Sequence, residues 1–280
     1  RLRVQLTTKI STVTAFLMCS HALMAEDFVR VQYMHYNDSN SDTDIMAPSI
    51  EFNKDFGTDY TLNIDLVSDT ISGASSTYVD SSSGASGAYK RTPPGATATV
   101  TKEDVSYEEQ RVAGAALLTT RFANRDELQT GINISREHDF YSNEVSVNYM
   151  HWLSTSHNNS LSIGGSFQSN EILVDCYYNS ECIDTNSGAS ETMTNDVSTF
   201  EVSYTQVLDK QSSAKINLFA ISESGYLSNP YLNVVYNDTV VNEKRPDSRD
   251  ARGVSFKYIK NLNKKVDSQF GYRYYSDDWG

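Results

Sequence analysis

From position 27 onward, apolar and polar residues alternate with a period of two. Tyr60, Leu62, Ile64 and Leu66 are interleaved with Thr61, Asn63 and Asp65. Leu128, Thr130, Ile132 and Ile134 are interleaved with Gln129, Gly131, Asn133 and Ser135. The same rhythm returns around Ile163, Phe200, Phe256 and Phe270. Successive side chains of an extended strand point to opposite faces, so strict alternation predicts strands with one apolar and one polar face. The pattern predicts strands over 28–36, 44–53, 60–70, 109–122, 127–136, 142–153, 160–170, 197–208, 214–222, 250–261 and 265–276. No helical period interrupts them, so the fold class is all-β.

Alternation fits two architectures. A soluble sandwich buries its apolar face between two sheets, whereas a membrane barrel turns it to lipid and keeps its polar face inside. Three features favour the barrel. The expected strands are about as long as a tilted membrane crossing of ~9–11 residues, against ~5–6 for ordinary strands. Aromatics are dense, with 18 Tyr, and many lie near strand ends, such as Tyr33, Tyr60, Tyr141, Tyr149 and Trp152; such rings suit a membrane interface. The connections alternate in length: 54–59, 123–126, 154–159, 209–213 and 262–264 are short, whereas 71–108, 171–196 and 223–249 are long. Only 137–141 breaks this parity by being short. The expected fold is an antiparallel up-and-down transmembrane β-barrel of at least eleven strands, with short periplasmic turns and long external loops.

The facing follows. Leu62, Ile64, Ile132, Ile134, Leu161, Ile163, Phe200, Val202, Phe256, Phe270 and Tyr272 are expected on the lipid side, and Asn63, Asp65, Asn133, Ser162, Glu201, Lys257, Gln269 and Arg273 on the lumen side.

Composition sharpens this picture. Mean hydropathy is -0.48, and no run of roughly 20 apolar residues exists to form a membrane helix. Residues 1–25 read as a signal peptide: Arg1, Arg3 and Lys9 precede an apolar stretch from Val13 to Met18, and Ala22-Leu23-Met24-Ala25 offers a cleavage site. The barrel domain then spans 26–280, and the expected location is the outer membrane of a Gram-negative cell, with its lipid as a partner. The formal charge is -13. Removing 1–25 takes away three basic and no acidic residues, leaving -16. Nucleic acid is excluded as a partner, because phosphates need a basic face. With Cys19 in the signal peptide, Cys176 and Cys182 remain, closing a short polar loop; in an oxidising periplasm they are expected to form a disulfide.

Candidate chemistry is sparse. The segment 38–44 spaces its oxygen ligands like a calcium loop, but lacks the glycine and the closing glutamate of one; it reads as a solvated acidic loop. His138-Asp139 is the one adjacent His/Asp pair, and no nucleophile elbow, zinc motif or phosphate loop accompanies it. No catalytic, cofactor-binding or metal residues are assigned, and no enzyme is expected. Arg245, Asp247, Arg249, Asp250, Arg252 and Arg273 are the residues from which a lumen charge cluster could be built.

Asp44-Ile45-Met46-Ala47-Pro48-Ser49, Asp69-Thr70-Ile71-Ser72-Gly73-Ala74-Ser75, Glu243-Lys244-Arg245-Pro246-Asp247-Ser248-Arg249 and Tyr272-Arg273-Tyr274-Tyr275-Ser276-Asp277-Asp278-Trp279-Gly280 carry a family resemblance. Through them the chain resembles the DUF3570 family of proteobacterial proteins. The resemblance implies an outer-membrane protein whose members continue past the last motif, so the barrel here is expected to be C-terminally truncated. It implies no activity and transfers no site residue. Three functional classes stay open: a passive channel with an acidic interior that passes ions or small solutes, a surface-binding or structural barrel with a plugged lumen, and a barrel enzyme.

Overall fold

The computed structural model describes residues 27–38, 43–77, 103–175, 182, 189–230, 233–236, 239–263 and 266–279. The expected signal peptide and the core of the calcium-like loop lie outside them. Thirteen strands follow in order: β1 (Phe28–Asp38), β2 (Thr43–Phe56), β3 (Tyr60–Thr77), β4 (Glu103–Arg121), β5 (Glu127–Arg136), β6 (Phe140–Trp152), β7 (Asn159–Asp175), β8 (Ser190–Asp209), β9 (Ser212–Gly225), β10 (Asn233–Tyr236), β11 (Thr239–Asn242), β12 (Ser248–Asn263) and β13 (Val266–Asp277). Eleven of them form one antiparallel meander, β1 through β9 and then β12 and β13.

The sheet is not closed into a barrel. Its edges are β1 and β13. With eleven strands in alternating directions, these two run the same way and cannot complete an antiparallel ring with each other. Every predicted strand is present, but several are longer than expected. The Ser/Gly/Ala segment after position 70, expected as a loop, continues β3 to Thr77 because residues 103–109 of β4 pair with it throughout; the ladder overrides poor strand propensity. In the same way β7 runs to Asp175 and β8 begins at Ser190. The connection between β9 and β12, expected as plain loop, contains the separate hairpin β10–β11.

The register places the alternation on two faces. Val29, Phe52, Ile64, Ala116, Ile132, Val145 and Phe167 form one cross-strand row. One residue along, Arg30, Glu51, Asp65, Ala115, Asn133, Glu144 and Gln168 form the next, on the opposite face. The apolar row is the open one: Ile132 is 52% and Val145 57% exposed, whereas Glu144 is 6% exposed. A flat single layer exposes both faces alike. Screening of the polar side chains by one another is what a sheet curled toward its polar face produces. Residues predicted for opposite faces do fall on opposite faces in this register.

Among the described residues, the buried apolar cluster is small. Ile172, Val174, Cys182 and Tyr226 form it, with Phe140, Ala189 and Met193 packed against it. Phe140, Ile172 and Met193 share one row, in line with the polar face but at the end where the long connections lie. Tyr226 reaches it because the chain turns sharply after β9. Gly225 has φ +103°, and a Cβ there would lie 2.4 Å from the Thr194 carbonyl oxygen. The turn is held by Tyr226 N–H donating to Thr194 O at 2.9 Å and Asn195 Nδ2 donating to Tyr226 O at 2.8 Å.

Gly225→Ala therefore meets both backbone strain, worth about 1–3 kcal/mol, and a backbone clash. The expected outcome is that the connection before β12 becomes cleavable under limited proteolysis, while the far-ultraviolet circular dichroism of the sheet is retained.

Candidate functional site: the polar face and its two rims

Alternation and register bring charged residues of neighbouring strands together on the polar face. Arg30 pairs with Glu51 at 2.6 Å, Arg111 with Asp69 at 2.9 Å and Arg121 with Glu127 at 3.4 Å. Neutral amides and hydroxyls bridge the middle strands. Asn133 Nδ2 donates to Glu144 Oε2 at 2.9 Å, and Gln168 Nε2 donates to Ser142 Oγ at 3.0 Å. Asn170 Nδ2 then donates to Asn195 Oδ1 at 2.7 Å. This surface is wettable and bears both signs of charge, a suitable wall for an aqueous path.

The six residues proposed as a charge cluster separate into three groups. Arg249 stands on the polar face, opposite Glu223. Its Nη2 donates to Asp277 Oδ2 at 2.5 Å and to the Tyr275 hydroxyl at 2.7 Å, and Glu223 lies 3.7 Å away. Its guanidinium also lies over the Trp279 ring at 5.0 Å. Arg245 joins this node from outside the strand: it pairs with Glu243 at 2.6 Å and lies 5.5 Å from the Trp279 centroid. Asp247 contributes its carbonyl, which accepts from Gly225 N–H at 2.8 Å.

Asp250 and Arg252 are not part of that node. The pleat puts them on the other face, where Arg252 lies opposite Ala220 and Ser276. The Asp250 carbonyl accepts from Asp278 N–H, and Asp250 N–H donates to the Asp278 carboxylate. Arg273 is on the polar face but points away from Asp267, whose carboxylate accepts from Asn261. Its guanidinium lies 4.7 Å over the Phe219 ring and 6.0 Å from Tyr275. Phe219 and Tyr275 stack at 6.5 Å and 26°, with Gly253 between them in the row. A Cβ on Gly253 would lie 2.4 Å from Phe219 Cζ, so the glycine makes the space for that ring.

At the short-turn rim, the chain builds a node that sequence reasoning missed. Asp126 ends the turn between β4 and β5 and is 2% exposed. Its Oδ2 accepts from the Tyr149 hydroxyl at 2.6 Å, His151 Nδ1 at 2.8 Å and Asn124 Nδ2 at 2.8 Å. Its Oδ1 accepts from Trp152 N–H at 3.1 Å. Burial opposes the charged carboxylate, but these donors outweigh it and hold the Asp126 carboxyl well below the ordinary carboxylate range. The adjacent pair His138-Asp139 is not where histidine meets aspartate. His151 meets Asp126, and His35 meets Asp44 at 2.6 Å, each across strands. No local sequence signal marks such pairs, since the pairing register creates them. Among the described residues, no group of three or more His, Cys, Asp or Glu is placed to hold a metal ion.

At the long-connection rim, Cys182 is buried and disulfide-bonded; Cys176 lies outside the described residues.

Asp126→Asn replaces one acceptor oxygen with a donor, so one set of buried donors loses its partner whichever way the amide turns. We expect a loss of roughly 1–3 kcal/mol, read as a lower thermal midpoint of the full-length protein in detergent. The sign with pH follows from the depressed carboxyl. Its stabilisation is complete above the ordinary value of 3.8 and is lost as pH falls from there toward the folded-state value. The gap between wild type and variant is expected to be constant near neutrality and to narrow only below that point.

Among curated proteins, none matches this chain. The family model described as "Protein of unknown function (DUF3570)" matches residues 5–280, which takes in every strand of the meander. The chain therefore belongs to the DUF3570 family.

Proposed function

We propose that this sheet is the wall of an outer-membrane β-barrel, and that its polar face lines a passive channel with an acidic interior for ions or small solutes. The observation that carries the reading is the inverted polarity: large apolar side chains are exposed on one face while the opposite face packs Ser, Thr, Asn and Glu. In water, each fully exposed Leu, Ile, Val or Phe forgoes roughly 1.5–3 kcal/mol of burial, and a contiguous apolar surface this wide marks an interaction surface. A lipid environment satisfies the apolar face along its whole width and leaves the polar face for water. Strand lengths of 10–20 residues cover a membrane crossing, with the longest projecting beyond it. The parity of short and long connections agrees with one rim facing the periplasm. The signal peptide supplies the export route.

A second reading, a barrel whose entrance is plugged, is favoured by one specific feature. The apolar cluster around Tyr226 docks chain segments on the polar-face side at the long-connection rim. The disulfide of Cys182, for which we propose Cys176 as partner, ties the loop there.

Four outcomes check these readings. Fractionation of cells making the full-length protein should place it in the outer membrane; recovery in the soluble periplasm refutes the location. Planar-bilayer recordings should show stepwise conductance with a preference for cations, and a folded protein with no conductance supports the plugged barrel instead. Ile132→Arg should abolish or strongly impair insertion, because a charge on the lipid face costs about 2–4 kcal/mol at mid-membrane. Asn133→Arg, one residue away and beside Glu144, should insert normally. For the loop, mass spectrometry of protein purified without reductant should recover a single peptide pair joined through Cys176 and Cys182.

A further inference from the structure

The polar face is not electrostatically uniform. Among the described residues, its arginines on β1, β4 and β12 each hold a carboxylate. Lys257 and Arg273 hold none. They stand together: Lys257 is opposite Gly271, and Arg273 is two residues further along the same strand. That diagonal spacing is about 7–8 Å between backbones, with the side chains able to converge. Gly271 presents no side chain beside Lys257, and a Cβ there would meet nothing closer than 3.9 Å. Arg273 is steadied by the faces of Phe219 and Tyr275, which orients its guanidinium without using its hydrogen-bond donors. Lys215, directly opposite Lys257 on the other side, adds positive potential, and Glu201, the carboxylate nearest in electrostatic reach of Lys215, accepts from Asn217 at 3.4 Å.

We propose that Lys257 and Arg273 form a binding subsite on the polar face for a solute bearing a carboxylate or phosphate group. This rests on the reading that the polar face lines a solute path. Oriented guanidinium donors match two oxygens of such an anion, and the ammonium adds a point charge beside them. In a chain of formal charge -13, two adjacent cations left unpaired on an otherwise paired wall give a local reversal of potential. An anion that enters an acidic channel would rest there.

The test uses the purified full-length protein in detergent micelles, with citrate and inorganic phosphate as probes and glucose as a neutral control. Calorimetric titration should show saturable binding of at least one anion and none of glucose. The double variant Lys257→Gln/Arg273→Gln should weaken it by about tenfold or more, and Arg30→Gln, on the far strand, should leave it unchanged. A second measurement needs no variant: the bound anion should slow modification of Arg273 by an arginine-specific dicarbonyl reagent, read by mass spectrometry. Absence of saturable binding, or binding that neither the double variant nor Arg273 protection reports, overturns the subsite. Competition by phosphatidylglycerol added to the micelles would assign the cations to a lipid headgroup and likewise overturn a solute site. Conductance without binding removes the subsite alone; binding without conductance leaves the subsite and removes the open channel.

Discussion

Hydrogen bonding between neighbouring antiparallel strands holds this chain to itself. Each inner strand of the eleven-stranded meander pairs with a neighbour on both sides, the edge strands β1 and β13 pair on one, and no second layer packs on either face among the described residues. A conventional domain would share the work between a backbone ladder and an apolar core. Here the ladder satisfies the backbone, and the register decides everything else. Because side chains alternate with a period of two, a slip of one residue in any strand would send its polar set to the apolar face and its apolar set to the polar one. The pairings keep the two faces distinct from β1 to β13, and the register shifts fall at strand ends, between Val207 and Asp209 in β8 and between Asn261 and Asn263 in β12.

Once register is set, the polar face becomes the packed side. Its contacts are hydrogen bonds and ion pairs rather than apolar burial, so they act through geometry more than through bulk. Asn133 reaches Glu144, Gln168 reaches Ser142, and Asn170 reaches Asn195, which couples four strands in sequence. Net gains of about 0.5–1.5 kcal/mol are ordinary for such bonds, yet leaving a screened amide or carboxylate unpaired costs more than its pairing returns. This asymmetry explains why the face tolerates charge of both signs but shows its cations mostly matched. It also sets apart Lys257 and Arg273, where the matching stops.

The two rims differ in kind. Short turns tighten one rim, and Asp126 pins the β4–β5 turn to β6 through three donors, Tyr149, His151 and Trp152, while Asn124 donates to it from within the turn. At the other rim β5 and β6 are short while β3, β4, β7 and β8 rise past them. The taller strands carry apolar residues on the polar-face side, where Tyr226 and Cys182 settle. The proposed channel would thus have a rigid short rim and an entrance shaped by docked chain.

Particular residues show how far the sequence could be read. Alternation around Ile132 and Asn133 determined the strands and which residues share a face, because a period of two is a local property of an extended chain, and the short connections determined the antiparallel order. The spacing of turns and loops determined which rim is long. The extension of β3 through Ser72, Gly73 and Ala74 was not legible, because those residues have no strand preference of their own and depend on β4 arriving beside them. The hairpin β10–β11 was obscured in the same way inside a loop. The meeting of Asp126 with Tyr149 and His151, the separation of Arg252 from Arg249, and the stacking of Phe219 on Tyr275 across Gly253 were decided by tertiary structure alone. Each depends on which residue of one strand stands opposite which residue of the next, and that register is a sum over the whole ladder rather than a feature of any one segment.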